Sequence, residues 1–235
     1  MEVPIVMCVW QRPERLATTL ELLAEQRQHR PRLHIWNNNP AIERDVRAAT
    51  ARPWPYAIDV VTSDENIGGF GRFVHARALA PTEPFVVFID DDLEFGDDLL
   101  ATMVEEHRPR SLSAWWAFRI NDPDDYWDRV PLEPGEEADY CGTGGMICDT
   151  RVFRDPRLFA CPERHRFIED LWLSFHVTRL GWRKYKSAAR ITEVLDGGNQ
   201  LWHDGVYEQK RDFLRILARD EGWQLIGSRD ADGPA

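Results

Sequence analysis

The chain has 235 residues, with 40 Asp and Glu against 29 Lys and Arg, a formal net charge of −11; 43% of its residues are hydrophobic and 11% aromatic. That balance describes an ordinary folded domain with a substantial core, and excludes disordered and fibrous classes. The acidic excess argues against gripping a nucleic-acid backbone, and it requires a cation or well-placed arginines wherever phosphate is handled.

In chain order, residues 4–10 form a continuous apolar run of strand length, as expected for a strand buried on both faces. Pro13 sits at a first helical turn, and Leu16, Leu20 and Leu23 repeat at helical spacing through residue 28. A short strand over 33–36 stops at the turn-forming Asn37, Asn38, Asn39 and Pro40. A helix over 42–51 and a third strand over 56–62 follow. Residues 66–69 read as a loop, and 70–79 as a helix leaving it. Residues 85–89 form the fourth strand, with Gly96 and Asp97 opening a helix through residue 106. This alternation predicts an α/β fold, a mostly parallel sheet wound with helices, with ligands gathering at the carboxyl ends of the strands.

The second half is less regular. A strand is expected over 113–120, then a polar, turn-rich excursion through DPDDYWDR. Gly142, Gly144 and Gly145 lie in a segment over 140–148 where backbone could approach a ligand closely, or simply turn between strands. A helix is expected over 166–180, ending at Gly181, then a loop over 191–204, an amphipathic helix over 206–219 and a polar tail from 228. The expected organisation is a single domain of two halves, 1–110 and 111–227.

Cys8, Cys141, Cys148 and Cys161 show no paired spacing suited to zinc and read as reduced thiols of a cytoplasmic protein. No apolar stretch is long enough to span a bilayer, although peripheral docking on a membrane would remain open.

The chemistry concentrates where the fourth strand ends in Asp90, Asp91 and Asp92. Neighbouring anions raise one another's pKa, and a hard divalent cation, Mg2+ or Mn2+, is their natural compensator. The plainer reading is a helix cap or a solvated turn.

The surrounding motifs favour the cation. In order along the chain, VWQRP, IWNNNP, NIGGFGRF, FIDDD, GTGGM and FIEDLWLS together resemble the GT-A glycosyltransferases, in particular family 2-like enzymes. The resemblance runs from Val3 to about Phe213. It implies a GT-A fold, a nucleoside-diphosphate sugar donor, a divalent metal, and a carbohydrate, lipid-linked or small-molecule acceptor.

Residue by residue, it implies that Gln11, Arg12, Asn66, Gly68 and Arg72 lie beside the nucleotide. Asp90 would meet the ribose or donor sugar and share the metal with Asp92, with Asp91 available to either. Gly144 and Gly145 would border the donor sugar. Asn37 and Asn38 stand where the family has an acidic residue reading the base; their amides can still donate and accept. Asp170 would be the general base, with Glu169 orienting it or the acceptor, and His203 a third metal ligand. Trp115, Trp116, Trp127 and Trp172 are candidates to stack on an acceptor, Trp172 foremost because it neighbours Asp170 in sequence.

A base at Asp170 implies inversion at the anomeric carbon. Because WNN also resembles the exostosin-type transferases, retention is the alternative. A sugar-phosphate nucleotidyltransferase would carry a glycine-rich segment after the first strand, where this chain has VWQRPERL. A non-catalytic nucleotide- or carbohydrate-binding module is the remaining class.

Overall fold

A computed structural model describes residues 1–194 and 205–227. Seven strands form the main sheet in the order β11-β6-β10-β4-β1-β2-β3. β1 (Glu2–Val9), β2 (Arg30–Asn37), β3 (Ala57–Thr62) and β4 (Phe85–Ile89) are mutually parallel. β10 (Met146–Asp149) runs antiparallel between β4 and β6 (Ser111–Ala114), and β11 (Arg183–Lys186) pairs parallel with β6. β6, β10 and β11 all follow residue 110, so the two halves of the chain share one sheet.

The apolar strands alternate between two cores. In β4, Phe85, Val87 and Ile89 point into one cluster, with α1 (Pro13–Ala24), α2 (Glu43–Thr50) and α4 (Leu99–Glu106). Val86 and Phe88 point into the other, with α3 (Gly71–Leu79) and α5 (Glu169–Arg179). A run buried on both faces needs no polar alternation, which is why these strands read as continuous hydrophobic stretches. The chain crosses from β1 outward to β2 and β3, then returns to β4 on the far side of β1. That reversal opens a crevice beyond the carboxyl ends of β1 and β4.

Several boundaries differ from the sequence reading. The strand expected over 113–120 is broken into β6 and β7 (Ala117–Asp122). The break holds Trp115, whose N–H donates to Gly145 O at 2.8 Å, and Trp116, whose carbonyl accepts from Gly142 N at 2.8 Å. The polar excursion contains a strand, β8 (Asp125–Pro131), at the edge of a small sheet with β7 and β9 (Tyr140–Cys141). Only Tyr126 of β8 is buried, so an edge strand facing water was masked by its own polarity. The expected loop over 191–204 begins with β12 (Ile191–Glu193), which pairs antiparallel with β5 (Leu93–Phe95). Residues 163–168 form a tighter 3-10 turn ahead of α5, and α6 (Val206–Arg215) gives way to a wider π turn over 216–220. The tail from 228 lies outside the described residues. All four cysteines are free thiols, and no described helix is long and apolar enough to cross a membrane.

Candidate active site

The crevice is a cleft of about 530 Å3, within the usual range for small-molecule sites. Six carboxylates (Asp90, Asp91, Asp92, Glu169, Asp170 and Glu193) line it against four cations (Arg12, Arg72, Arg129 and Lys210) among the described residues. It therefore carries an excess of negative charge.

β4 delivers the three aspartates. The Arg12 guanidinium, just beyond β1, donates to Asp91 Oδ1 at 2.6 Å and to Asp92 Oδ2 at 3.0 Å. Arg72, at the start of α3, donates to Asp90 Oδ1 at 2.7 Å and through Nε to Gly69 O at 3.2 Å. Burial alone would lower the Arg72 pKa, but Asp90, Cys8 and Glu169 more than offset it, and it rises. The arginines do not fully compensate the acids. Burial pushes the Asp91 carboxyl up to about 7 despite Arg12. Asp92 is raised too, by burial and then by Asp90, against the pull of Arg12. Such carboxylates suit a hard divalent cation, and Asp90, Asp91 and Asp92 are the groups that could hold one. The backbone opposite is fitted to them: a Cβ on Gly144 would come within 2.4 Å of Asp90 Oδ2.

The asparagines divide. Asn38 lines the cleft, but its Oδ1 accepts from Trp36 Nε1 at 3.1 Å and Ile67 N at 3.2 Å, and its Nδ2 donates to Gly68 O at 2.9 Å. Its amide ties the 66–69 loop to the end of β2. Asn37, expected to read a base, is fully buried outside the cleft lining. Its Oδ1 accepts from Asn39 N at 3.0 Å, and its side chain lies on the same face of β2 as Leu33 and Ile35. Gln11 and Asn66 line the cleft, Asn66 accepting from Gly68 N at 2.9 Å. Gly68 takes φ +64°, a conformation that glycine adopts without steric cost. Gly145, expected beside the donor sugar, is not in the lining: it takes φ +74°, and its N–H donates to Phe88 O at 3.0 Å, closing the sheet.

α5 opens with Glu169 and Asp170, which both line the cleft. Glu169 is buried and accepts from Thr143 Oγ1 at 3.0 Å, with Arg72 Nε 3.5 Å away. Burial raises its pKa, opposed by Arg72. Asp170 Oδ2 accepts from the Tyr140 hydroxyl and from Lys210 Nζ at 2.7 Å, while Oδ1 accepts from Leu171 N at 2.7 Å. The carboxylate is thus held in one orientation at the helix start.

Lys210 was not anticipated as a site residue. Its signal is present nonetheless, because Val206, Lys210, Phe213 and Leu217 share one helical stripe, and a lysine in an apolar stripe calls for a buried partner. Burial would lower its pKa, but Asp170, Tyr126 and Glu169 more than offset that and raise it.

Trp172 is corrected. It faces away from the cleft, its indole N–H donating to Leu158 O at 2.7 Å and its ring stacked on Phe213 at 6.2 Å. Residues two apart on a helix point about 200° apart, so an Asp170 facing the cleft turns Trp172 into the core. Trp115, Trp116 and Trp127 do line the cleft, joined by Tyr207 and Phe167. The exposed aromatic residues among those described, Trp116, Trp127, Phe167 and Tyr207, all lie on this one surface. Arg129 lies 4.1 Å from the Trp127 ring and 5.0 Å from that of Trp116. His203 lies outside the described residues.

Comparison with known proteins agrees with this geometry at the level of fold. The chain is similar in structure to GalNAc-T7, solved with UDP, GalNAc and Mn2+, at TM-score 0.67 and 12% identity, covering 95% of this chain and 55% of that one. It is similar to the mannosyltransferase PcManGT of Pyrobaculum calidifontis, solved with GDP-Man and Mn2+, at TM-score 0.62 and 14% identity, covering 99% and 76%. It is also similar to S. aureus TarS, residues 1–349, at TM-score 0.56 and 16% identity, covering 94% and 74%. These likenesses show the GT-A fold, and the chain spans only about half the length of the first of these relatives. No curated protein matches the sequence. The family model for glycosyl transferase family 2 matches residues 5–155, well over half of the chain, and the protein therefore belongs to that family.

Proposed function

We propose that the protein is a metal-dependent glycosyltransferase that moves a sugar from a nucleoside-diphosphate donor to a carbohydrate hydroxyl, with inversion. The observation that carries this reading is one cleft lined both by an under-compensated aspartate cluster and by an oriented carboxylate, Asp170. Proteins of similar fold solved with Mn2+ and UDP or GDP-Man support the donor class and the cation.

Asp90 and Asp92 would hold Mn2+ or Mg2+, with Asp91 sharing; the cation supplies charge to the departing diphosphate. Arg12 and Arg72 add fixed positive charge beside it, and guanidinium geometry suits phosphate oxygens. Asp170 removes the proton from the acceptor hydroxyl while that oxygen bonds the anomeric carbon. The bond from that carbon to the diphosphate oxygen breaks, and nucleoside diphosphate leaves. Glu169, which accepts from Thr143 and lies beside Arg72, lines the same cleft.

Lys210 and Tyr140 aim Asp170. Lys210→Met is expected to lower kcat by roughly 10- to 100-fold while donor affinity stays within about twofold, read from steady-state rates and donor titration. The aromatic wall made by Trp116, Trp127 and Tyr207 suits the apolar faces of a sugar ring. Trp127→Ala should raise the acceptor KM about tenfold, near 1.4 kcal/mol, with donor hydrolysis in the absence of acceptor unchanged.

One observation favours a retaining course: Asp170 Oδ2 already accepts from two donors, Tyr140 and Lys210, which compete with an acceptor hydroxyl for that oxygen. Assigning the product anomer by NMR separates the two, since retention removes the role given to Asp170. A panel of UDP- and GDP-sugars with Mn2+, read as donor hydrolysis and transfer, tests the whole reading. Metal-enhanced nucleotide binding with neither hydrolysis nor transfer would make the protein a binding module.

A further inference from the structure

Away from the cleft, on the edge of the main sheet, three side chains with metal-ligating atoms converge. His34 in β2 and Asp59 in β3 are direct partners in the parallel register and project on one face. His75 reaches the same point from α3. His34 Nδ1 lies 3.7 Å from Asp59 Oδ2, and His75 Nε2 lies 3.9 Å from the same oxygen. One ligand atom from each residue falls within 4.8 Å of the others, and the two imidazole rings stand 4.9 Å apart, centre to centre.

We propose that His34, Asp59 and His75 form a binding site for a divalent ion of the imidazole-preferring class, with Zn2+ as its representative, separate from the carboxylate cluster of the cleft.

Three features point to a ligand. First, both ring nitrogens of His34 are sealed from solvent and have no hydrogen-bond partner, a state that costs free energy unless something occupies one of them. The distance to Asp59 is too long for a hydrogen bond to supply that partner. Second, the ligand set suits the ion. Two imidazoles and one carboxylate leave a fourth, open position, and nitrogen donors select zinc-class ions over Mg2+.

Third, the spacing is close to that of a loaded site. Ligands about 2.0–2.1 Å from a tetrahedral ion stand about 3.3 Å apart, so the two contacts to Asp59, at 3.7 and 3.9 Å, need to close by roughly half an ångström. The ligand atoms all lie within 4.8 Å of one another, so the two imidazoles need to approach by at most about 1.5 Å. The Asp59 side chain, 63% exposed, gives the ion a route from solvent. The nearest cation on the same strand face, Arg32, is already paired with Glu83 at 2.6 Å and does not occupy the site. A bound ion would join β2 and the edge strand β3 to α3, the helix whose first turn carries Arg72.

The test is calorimetric titration of Zn2+ into the full chain, stripped with chelator and carrying Asp92→Asn to weaken the aspartate cluster. One equivalent of Zn2+ is expected to bind and to raise Tm, and a tenfold excess of Mg2+ should leave that binding unchanged. Adding Asp59→Asn should weaken it at least tenfold, and adding His75→Gln should weaken it further. Asp59 is exposed, so its substitution leaves the metal-free Tm unchanged and separates lost binding from lost folding. Absence of Zn2+ binding in the Asp92→Asn protein, or binding that both added substitutions leave intact, would overturn the proposal.

Discussion

Asp92→Asn is expected to abolish metal-dependent donor binding and to lower transfer by at least about 10^3-fold, near 4 kcal/mol of transition-state stabilisation. The amide keeps the shape of the carboxylate and can still accept from Arg12, which donates to Asp92 Oδ2 at 3.0 Å. What it loses is the negative charge that a hard cation requires. The same substitution should not harm the fold. The folded protein raises the Asp92 pKa, chiefly through burial and then through Asp90. A carboxylic acid whose folded pKa lies above its unfolded one opposes folding whenever the pH is high enough to ionise it. Removing that charge is therefore expected to leave Tm at neutral pH no lower than in the parent. Loss of activity together with loss of Tm would mean that Asp92 is structural.

The second large effect is Asp170→Asn, expected to lower kcat by about 10^2- to 10^4-fold, the range of a lost general base. Nucleotide binding with Mn2+ should stay within about twofold of the parent, because Asp170 is bonded to Tyr140, Lys210 and Leu171 N and not to the aspartate cluster or its arginines. The amide oxygen can keep the bond from Lys210, now at 2.7 Å, so orientation survives while proton acceptance does not. Wild-type turnover by this variant would remove the base assignment. A fall in nucleotide affinity as large as the fall in kcat would place Asp170 in donor binding instead.

Much of this architecture was legible in the residues. The unbroken apolar runs of β1 and β4 announced strands covered on both faces, and the reversal between β3 and β4 put FIDDD and QRP at one crevice. The resemblance carried the rest of the cleft: Gln11, Arg12, Asn38, Asn66, Gly68, Arg72, Gly144, Glu169 and Asp170 all line it with the three aspartates.

The misses have local causes. Period-two alternation in β2 sends Asn37 to the face of Leu33 and Ile35, and Asn38 to that of Trp36. Adjacency in sequence suggested Trp172, but helical periodicity turns it into the core. β8 escaped notice because an edge strand exposed on one face looks like a loop in composition. Lys210 was hidden by distance, since its partner Asp170 lies forty residues earlier. No local pattern pairs them; only the packing of α6 against α5 and β9 brings them together.

The central claim is that cation and nucleotide are taken up together at the aspartate cluster. Titration of UDP and GDP into the protein with and without Mn2+, repeated with Asp92→Asn, tests it most directly. Mn2+ is expected to tighten at least one nucleotide tenfold or more, and the substitution to remove the gain. Equal affinity with and without Mn2+ for both nucleotides in the parent protein would contradict it.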